Sequence, residues 1–381
     1  MNLQEFTPEF VPWARIKVIW VGWAWVNSIN RMIQEGVEGV EFVAVNTDAQ
    51  ALANSLAQTK LNIGLDLTHW LGAGANPEIG RKAAEESIDE IKKVLEWADM
   101  VFITAWMWWG TGTGAAPVIS QLAKEMDILT VGVVTKPFSF EGRQRLQNAI
   151  EGLEKMRWSV DSLIVIPNDK IFNIIDKKTK FKEAFSMIDK ILMLGVQGIS
   201  DLIIKPGLVN VDFADVKVIM KDSGTALLGI GYWEGENRSV EAARRAIDNP
   251  LLDTRLEGAK SILFVVTWWE DLTPVEVQEA AKVIEEIKDE DANVIWGMSL
   301  DPSYEGEVKI TIIATWFPES TQDDIIKGTP KFLMGGGVRR SKGEDFVTKA
   351  VASSNKPAPT NSQPKMEDDL ETPAFLRKKL R

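Results

Sequence analysis

The stretch MVFITAWMWWGTGTG, residues 100–114, decides how the chain is read. Met100 to Ala105 has the apolar, β-branched character of a strand, the third that the sequence predicts. Gly110-Thr111-Gly112-Thr113-Gly114 follows it and opens a helical pattern that runs to about Met126. Glycines at a strand-to-helix junction let main-chain N–H groups approach anionic oxygens. The threonine hydroxyls add donors, and the helix dipole favours negative charge. The run lacks the Lys-Ser/Thr of the common phosphate loop. Two readings stand, a phosphate-binding loop and a plain tight turn.

On the amino-terminal side, residues 1–15 read as an irregular arm, Ile16 to Val21 as a first strand with a helix to about Glu35, and Val40 to Asn46 as a second strand. Asn76-Pro77-Glu78 marks the start of an acidic helix predicted to reach about Trp97. On the other side, Ile128 to Val134 is a fourth strand, and strand and helix alternate through Pro167. Such alternation predicts right-handed βαβ units and a mostly parallel sheet over 16–180. A long central helix, 181–205, ends at Lys205-Pro206-Gly207. A second α/β segment, 206–318, follows, and its last strands, Asn293–Leu300 and Glu307–Thr315, are expected to pair antiparallel. After Pro318 the pattern fails. Residues 319–366 hold Gly335-Gly336-Gly337 and Pro357-Ala358-Pro359 with few aromatics, the composition of a disordered linker. Residues 367–381 regain apolar side chains at helical spacing and read as a docking peptide on a tether.

Composition narrows the chemistry. The 381 residues contain no cysteine and one histidine, His69, which excludes thiolate metal sites and argues against a histidine-based triad. A net charge of -12 opposes nucleic acid as a partner. No apolar stretch is long enough for a membrane span and no signal segment is evident, so the cytosol is the expected compartment. Fifteen tryptophans stand against two tyrosines, and they cluster beside glycine turns. Val21-Gly22-Trp23-Ala24-Trp25 looks like a degraded glycine-rich turn, and Asp48 follows the second strand. A nicotinamide-dependent oxidoreductase of the Rossmann type is therefore one candidate. A second, stronger phosphate loop after the third strand is not what that fold predicts.

Several separate stretches carry a resemblance: Asn46-Thr47-Asp48, Gly72 to Glu78, Gly110 to Gly114, Thr135 to Phe138, Phe140 to Arg143, and Asn210 to Asp215. Together, over about residues 14–318, they resemble FtsZ, the bacterial cell-division GTPase family related to tubulin. Thr372 to Arg377 is similar to that family's terminal docking peptide. The resemblance implies a tubulin-like α/β fold, with a GTP-binding domain, a central helix, a second α/β domain and a disordered tail. It implies GTP or GDP as ligand, with magnesium, and hydrolysis to GDP and phosphate. It further implies a head-to-tail homo-polymer at the mid-cell division site. Membrane-tethering and regulatory division proteins would grip residues 368–381. A tubulin-like scaffold without turnover is the alternative from another class.

By the same resemblance the nucleotide is met by Gly22, Trp23, Trp25, Val26, Asn46, Gly74, Ala75, Trp108, Trp109, Gly110, Thr111 and Gly112. Glu141 and Arg143 meet ribose and phosphates, and Asn168, Phe185 and Asp189 meet guanine. Phe185 and Asp189 lie four apart on a helix, hence on one face, with a ring to stack and a carboxylate to accept N–H donors. The catalytic set is Asn210, Asp212 and Asp215, supplied to the next subunit's nucleotide. Without the family, Phe185 reads as core, Asp189 as surface, and Asp212 and Asp215 as the start of a helix.

The family has glycine where this chain has Trp20, Trp23, Trp25, Trp70, Trp106, Trp108, Trp109, Trp233, Trp268, Trp269 and Trp316, and Asn or Gly where it has Val26. Glycine gives positive φ and leaves room beside a ligand. A side chain in the left-handed region costs roughly 1–2 kcal/mol, and an indole carries on the order of 150–250 Å² of surface. The expectations are an encoded fold, an overpacked core around the first and third strands, and a nucleotide site obstructed by indoles unless they turn outward.

Overall fold

Parallel strands cannot be joined by a tight turn, so each apolar run must be followed by a return segment that covers the sheet, and an amphipathic helix does this best. The computed structural model describes residues 14–22, 27–176, 178–204, 211–249, 256, 258–269 and 271–327. The expected amino-terminal arm up to residue 13, Trp23, Trp25, Val26, the break at Lys205-Pro206-Gly207, Asn210 and the tail beyond 327 fall outside the described residues.

The first half runs β1 (Ile16–Val21), α1 (Asn27–Gln34), β2 (Val40–Asn46), α2 (Ala49–Ala53), β3 (Thr59–Asn62), α3 (Leu65–Thr68), α4 (Pro77–Glu86), α5 (Ile88–Leu95), β4 (Met100–Trp106), α6 (Gly110–Glu125), β5 (Leu129–Lys136), α7 (Arg143–Ser159) and β6 (Ser162–Pro167). After α8 (Phe181–Ile204) come α9 (Phe213–Met220), β7 (Gly224–Glu234), α10 (Arg238–Ile247), β8 (Ser261–Trp268), α11 (Pro274–Glu285), β9 (Asn293–Leu300), β10 (Glu307–Thr315) and α12 (Glu319–Lys327).

All ten strands form one sheet in the order β3-β2-β1-β4-β5-β6-β7-β10-β8-β9. Strands β1 to β6 are parallel, and β7 joins β6 through only three parallel pairs, Ser162 with Gly224 to Ile164 with Ala226. Beyond that short ladder β7 pairs antiparallel with β10. The long helix α8 packs across the join. A Cβ on Gly195 would meet Val133 and Leu228, and one on Gly198 would meet Thr311.

The structure differs from the sequence reading in four places. Thr59–Asn62 adds a strand at the sheet edge, so Met100–Trp106 is the fourth strand in the chain. The acidic helix is two helices, α4 and α5, divided at Ser87, whose φ of -109° and ψ of 29° break the helical run. Strands β9 and β10 do not pair with each other. The α11 crossover lays β9 parallel to β8 at the edge, while β10 inserts antiparallel between β7 and β8. Residues 319–327, expected as linker, form α12, which buries Ile325 and Ile326 and receives the Lys136 ammonium on the Ile325 carbonyl at 2.6 Å.

Two groups of tryptophans stand out. Trp70 and Trp316 have left-handed backbones, with φ of 71° and 62°, as glycine replacements in turns would. Trp97, which the sequence did not single out, joins them at 66°. Trp20, Trp106, Trp233 and Trp268 lie inside strands, where φ makes no demand for glycine and only volume is at issue. Trp316 is anchored by its indole N–H donating to the Ile219 carbonyl at 3.1 Å. Trp70 is 53% exposed. Trp70→Gly is therefore expected to relieve the left-handed strain without opening a cavity, raising stability by about 1 kcal/mol in denaturant titration.

Candidate functional site

Strand β4 is held on both sides, by β1 and by β5, so its end is fixed relative to both neighbours. Met107 to Trp109 make the turn, and α6 begins at once. Gly110 to Gly114 are thus five helical residues, all buried, rather than an open loop. Trp109 occupies the N-cap with an extended backbone and no side-chain cap bond. The first-turn amides of a helix have no intrahelical partner and carry the positive end of its dipole.

Close main-chain approach explains the glycines. A Cβ on Gly112 would lie 2.8 Å from the Trp106 carbonyl oxygen, and one on Gly22 would lie 2.7 Å from the Gly112 nitrogen. On the other flank a Cβ at Gly110 would meet the Asn76 nitrogen at 2.7 Å, and one at Gly114 the Pro77 oxygen at 2.0 Å. The starts of α4 and α6 are therefore pressed together, and two positive helix ends converge. Between the end of β2 and α6, the Thr47 and Thr111 hydroxyls bond at 2.7 Å. Asn46, buried, accepts from the amides of Thr47 at 2.8 Å and Asp48 at 3.3 Å. Gly74 and Ala75, both exposed, turn the chain into α4 with left-handed backbones.

The same sheet edge gathers a second group. Asn168 begins the 3-10 turn after β6, is 1% exposed, and has no hydrogen-bond partner for either amide atom. Asp189 on α8 is buried and accepts from the Ser28 hydroxyl. Desolvation pushes its pKa up to about 6 against the opposing effects of the Ser28 bond and Arg31. Phe185, one turn earlier, is half-buried among rings, with Phe138 at 5.4 Å and Phe181 at 5.2 Å between centroids. Glu141 accepts from the Phe138 amide at 3.1 Å and pairs with Arg145, whose guanidinium lies 4.5 Å from the Trp109 ring centroid. Arg143 opens α7 and is exposed. Arg145 and Ser28 were not foreseen. The four-residue spacing of Glu141 and Arg145 was a signal, whereas nothing local points from Ser28 to Asp189.

The indoles turn inward. Trp106 is 6% and Trp108 1% exposed, and their rings stack at 4.9 Å. The N–H groups of Trp20, Trp106 and Trp108 are buried with no partner, each costing about 1–3 kcal/mol. Outward rearrangement is thus excluded for these three, and the main chain at Trp106, Trp108 and Trp109 is not left-handed. For Trp20, Trp106 and Trp108 the burden is volume and an unpaired donor, not backbone strain. Toward a guanine nucleotide the polar groups fit, since Asn168 offers a buried unpaired amide and Asp189 a buried carboxyl. The ring face of Phe185 is covered by Trp106, at 5.7 Å and 24°.

Asp212 and Asp215 are elsewhere. They are exposed at the start of α9, whose far end reaches the starts of β5 and β6 through Lys217 and Lys221 with Asp127, and through the Ser162 hydroxyl on the Met220 carbonyl. The start of α6 lies where β1 and β4 end, whereas the far end of α9 lies at the opposite edge, where β5 and β6 begin. Asp48, the acid of the nicotinamide reading, spends its carboxylate capping α2. Among the described residues, no group of three or more His, Cys, Asp or Glu side chains could hold a metal ion, and no helix is long and apolar enough to cross a membrane.

Comparison with known proteins agrees with this geometry. The Tubulin/FtsZ family, GTPase domain, matches residues 15–176, and the FtsZ family, C-terminal domain, matches residues 224–318. A mutant FtsZ from M. jannaschii is 45% identical, with a TM-score of 0.75 over 79% of this chain and 91% of that one. The chain belongs to the tubulin/FtsZ family. A second M. jannaschii structure, an empty FtsZ dimer, is 42% identical over 86% of this chain and 95% of that one, with a TM-score of 0.77. CetZ2 from Haloferax volcanii, a GTPgS-bound protofilament, shares the fold at 22% identity and a TM-score of 0.68, over 90% of this chain and 99% of that one. The Rossmann oxidoreductase reading is thereby overturned. The chain carries the GTPase domain of its family, a tubulin-like α/β fold on a mostly parallel sheet, and GTP and GDP are that family's ligands.

Asp189 gives the site a pH signature. Its folded pKa, about 6, lies above the ordinary carboxylate value, so between the two the native state holds a proton that the unfolded chain has lost. Stability from this group is present at low pH and falls as pH rises through about 6, by up to about 3 kcal/mol. Asp189→Asn is expected to flatten that decline in denaturant midpoints measured between about pH 4 and pH 7.

Proposed function

We propose that this chain is a filament-forming GTPase of bacterial cell division, working in the cytoplasm at mid-cell. The observation that carries the reading is the pair of buried polar side chains, Asn168 with its unpaired amide and Asp189 with its perturbed carboxyl, on the sheet edge where α6 begins. Asn168 and the ionised Asp189 hold the polar edge of guanine. The amides of Gly110, Thr111 and Gly112 receive phosphate oxygens, with Gly22, Asn46, Gly74, Ala75, Trp108 and Trp109 lining their approach. Trp23, Trp25 and Val26, outside the described residues, are kept as nucleotide contacts on the family resemblance alone. Glu141 and Arg143 take the ribose and phosphate side, and magnesium accompanies the triphosphate. Bound GTP supplies the phosphoanhydride bond that is hydrolysed.

Asn210, Asp212 and Asp215 serve a neighbouring copy. Carboxylates can orient and deprotonate water, and Asp212 and Asp215 are exposed at the start of α9, open to a neighbouring copy. A contact joining unlike ends is heterologous and propagates, so turnover follows assembly. The chain works as a GTP-binding unit over 16–180, a central helix over 181–205 and a second unit over 206–318. The tail, a linker and then residues 368–381, presents a peptide to membrane-tethering and regulatory division proteins. A second reading, a scaffold that assembles without turnover, is favoured by one observation: Trp106 and Trp108 are buried at the nucleotide edge.

Turnover measured against protein concentration separates the two. The GTPase reading expects phosphate release per subunit to climb with concentration, together with light scattering, and Asp212→Ala to lower it at least 10-fold while GTP binding persists. Scattering with no phosphate release at any concentration favours the scaffold.

A further inference from the structure

Trp106 ends β4 at the sheet edge that carries Asn168, Phe185 and Asp189. Its indole lies against Phe185 with centroids 5.7 Å apart and 24° between planes. That is direct stacking contact, with no gap for another planar ring. The side chain is 6% exposed, so this is its settled place and not a surface excursion. An indole is a flat fused bicycle of nearly the size and shape of a purine. What it lacks is the purine's polar edge. Its N–H finds no partner, and both amide atoms of Asn168 remain buried and unpaired.

We propose that the Trp106 indole is a tethered stand-in for the guanine ring, seated on Phe185 and displaced when the base binds. The proposal rests on the reading of Asn168, Phe185 and Asp189 as base contacts. A ring on the same chain competes at high effective concentration, so the apparent affinity falls by the fraction of molecules in which the seat is free. The base can win because it satisfies groups that the indole leaves unpaired. Competition is confined to the base end. A ligand with phosphates and no base does not need the seat.

The test is equilibrium binding of GTP, and of inorganic tripolyphosphate as the base-free probe, to the full chain and to Trp106→Gly. The expected result is at least 10-fold tighter GTP binding by the variant, with tripolyphosphate binding unchanged. In the wild-type chain, saturating GTP should alter the near-ultraviolet dichroism of the stacked indole pair. Equal GTP affinity in the two proteins overturns the proposal, and so does a parallel gain for tripolyphosphate, which would put the obstruction at the phosphates. A variant with Trp23, Trp25, Trp106, Trp108 and Trp109 all changed to Gly separates the two levels. If it binds GTP tightly and Trp106→Gly matches wild type, the stand-in is wrong and the GTPase reading survives. If it too fails to bind, the reading of the base contacts falls. Far-ultraviolet dichroism checks that each variant is folded, and Trp106→Ala replaces Trp106→Gly if the latter is not.

Discussion

The first turn of α6 touches other main chain on three sides, against the ends of β1 and β4 and the start of α4. At Gly110, Gly112 and Gly114 a single methyl group would lie within 2.9 Å of another backbone atom. Atoms cannot be held that close by side-chain packing, which sets a spacing of roughly 8–10 Å between helices. The close crossing brings two helix starts together at one point, and the threonines between the glycines keep short hydroxyls there. Thr47 is bonded to the α6 start, and Ala73 and Asn76, flanking the turn into α4, lie against Gly110.

The glycine spacing was legible because it is written locally, but it was read as room for a ligand; the close crossing of α6 with α4 was not read. The parallel half of the sheet was legible too, since apolar β-branched runs alternating with helical patterns leave few other arrangements. Strand β3, Thr-Lys-Leu-Asn, was not legible, because a four-residue edge strand buries little and needs no apolar run. The error at β9 and β10 has a different origin. Sequence neighbours were read as a hairpin, but α11 joins β8 and β9 by a crossover, which makes them parallel and leaves β10 to fill the gap beside β7. Helix α12 reads as polar linker apart from Ile325 and Ile326, and it folds because those two find a buried place against the first half. In the site, the four-residue step from Phe185 to Asp189 was visible. The Ser28 bond that holds Asp189, spanning 161 residues, was not.

The tryptophans separate two things that glycine usually does at once. At Trp70 and Trp316 the lost property is left-handed freedom, and the penalty stays in one residue with its side chain partly in solvent. At Trp106 and Trp108 the backbone makes no such demand, and the large side chains fill buried volume. The sheet itself tolerates this, because β4 is held by main-chain pairing along its length to β1 and β5, independent of side-chain size. A fold can therefore persist where the cavity at its edge does not, and fold and site need not fail together.

The two edges of a parallel sheet are chemically unlike. Where β1 and β4 end, helix starts converge with their positive poles. Where β5 and β6 begin lies the far end of α9, with Lys217 and Lys221 on Asp127, while Asp212 and Asp215 at its start are exposed. A group fixed at one edge cannot reach a ligand at the other, because the strands between are stiff and about 20 Å long. The helix starts and the carboxylates are therefore separate features of the molecule, each built by its own local contacts.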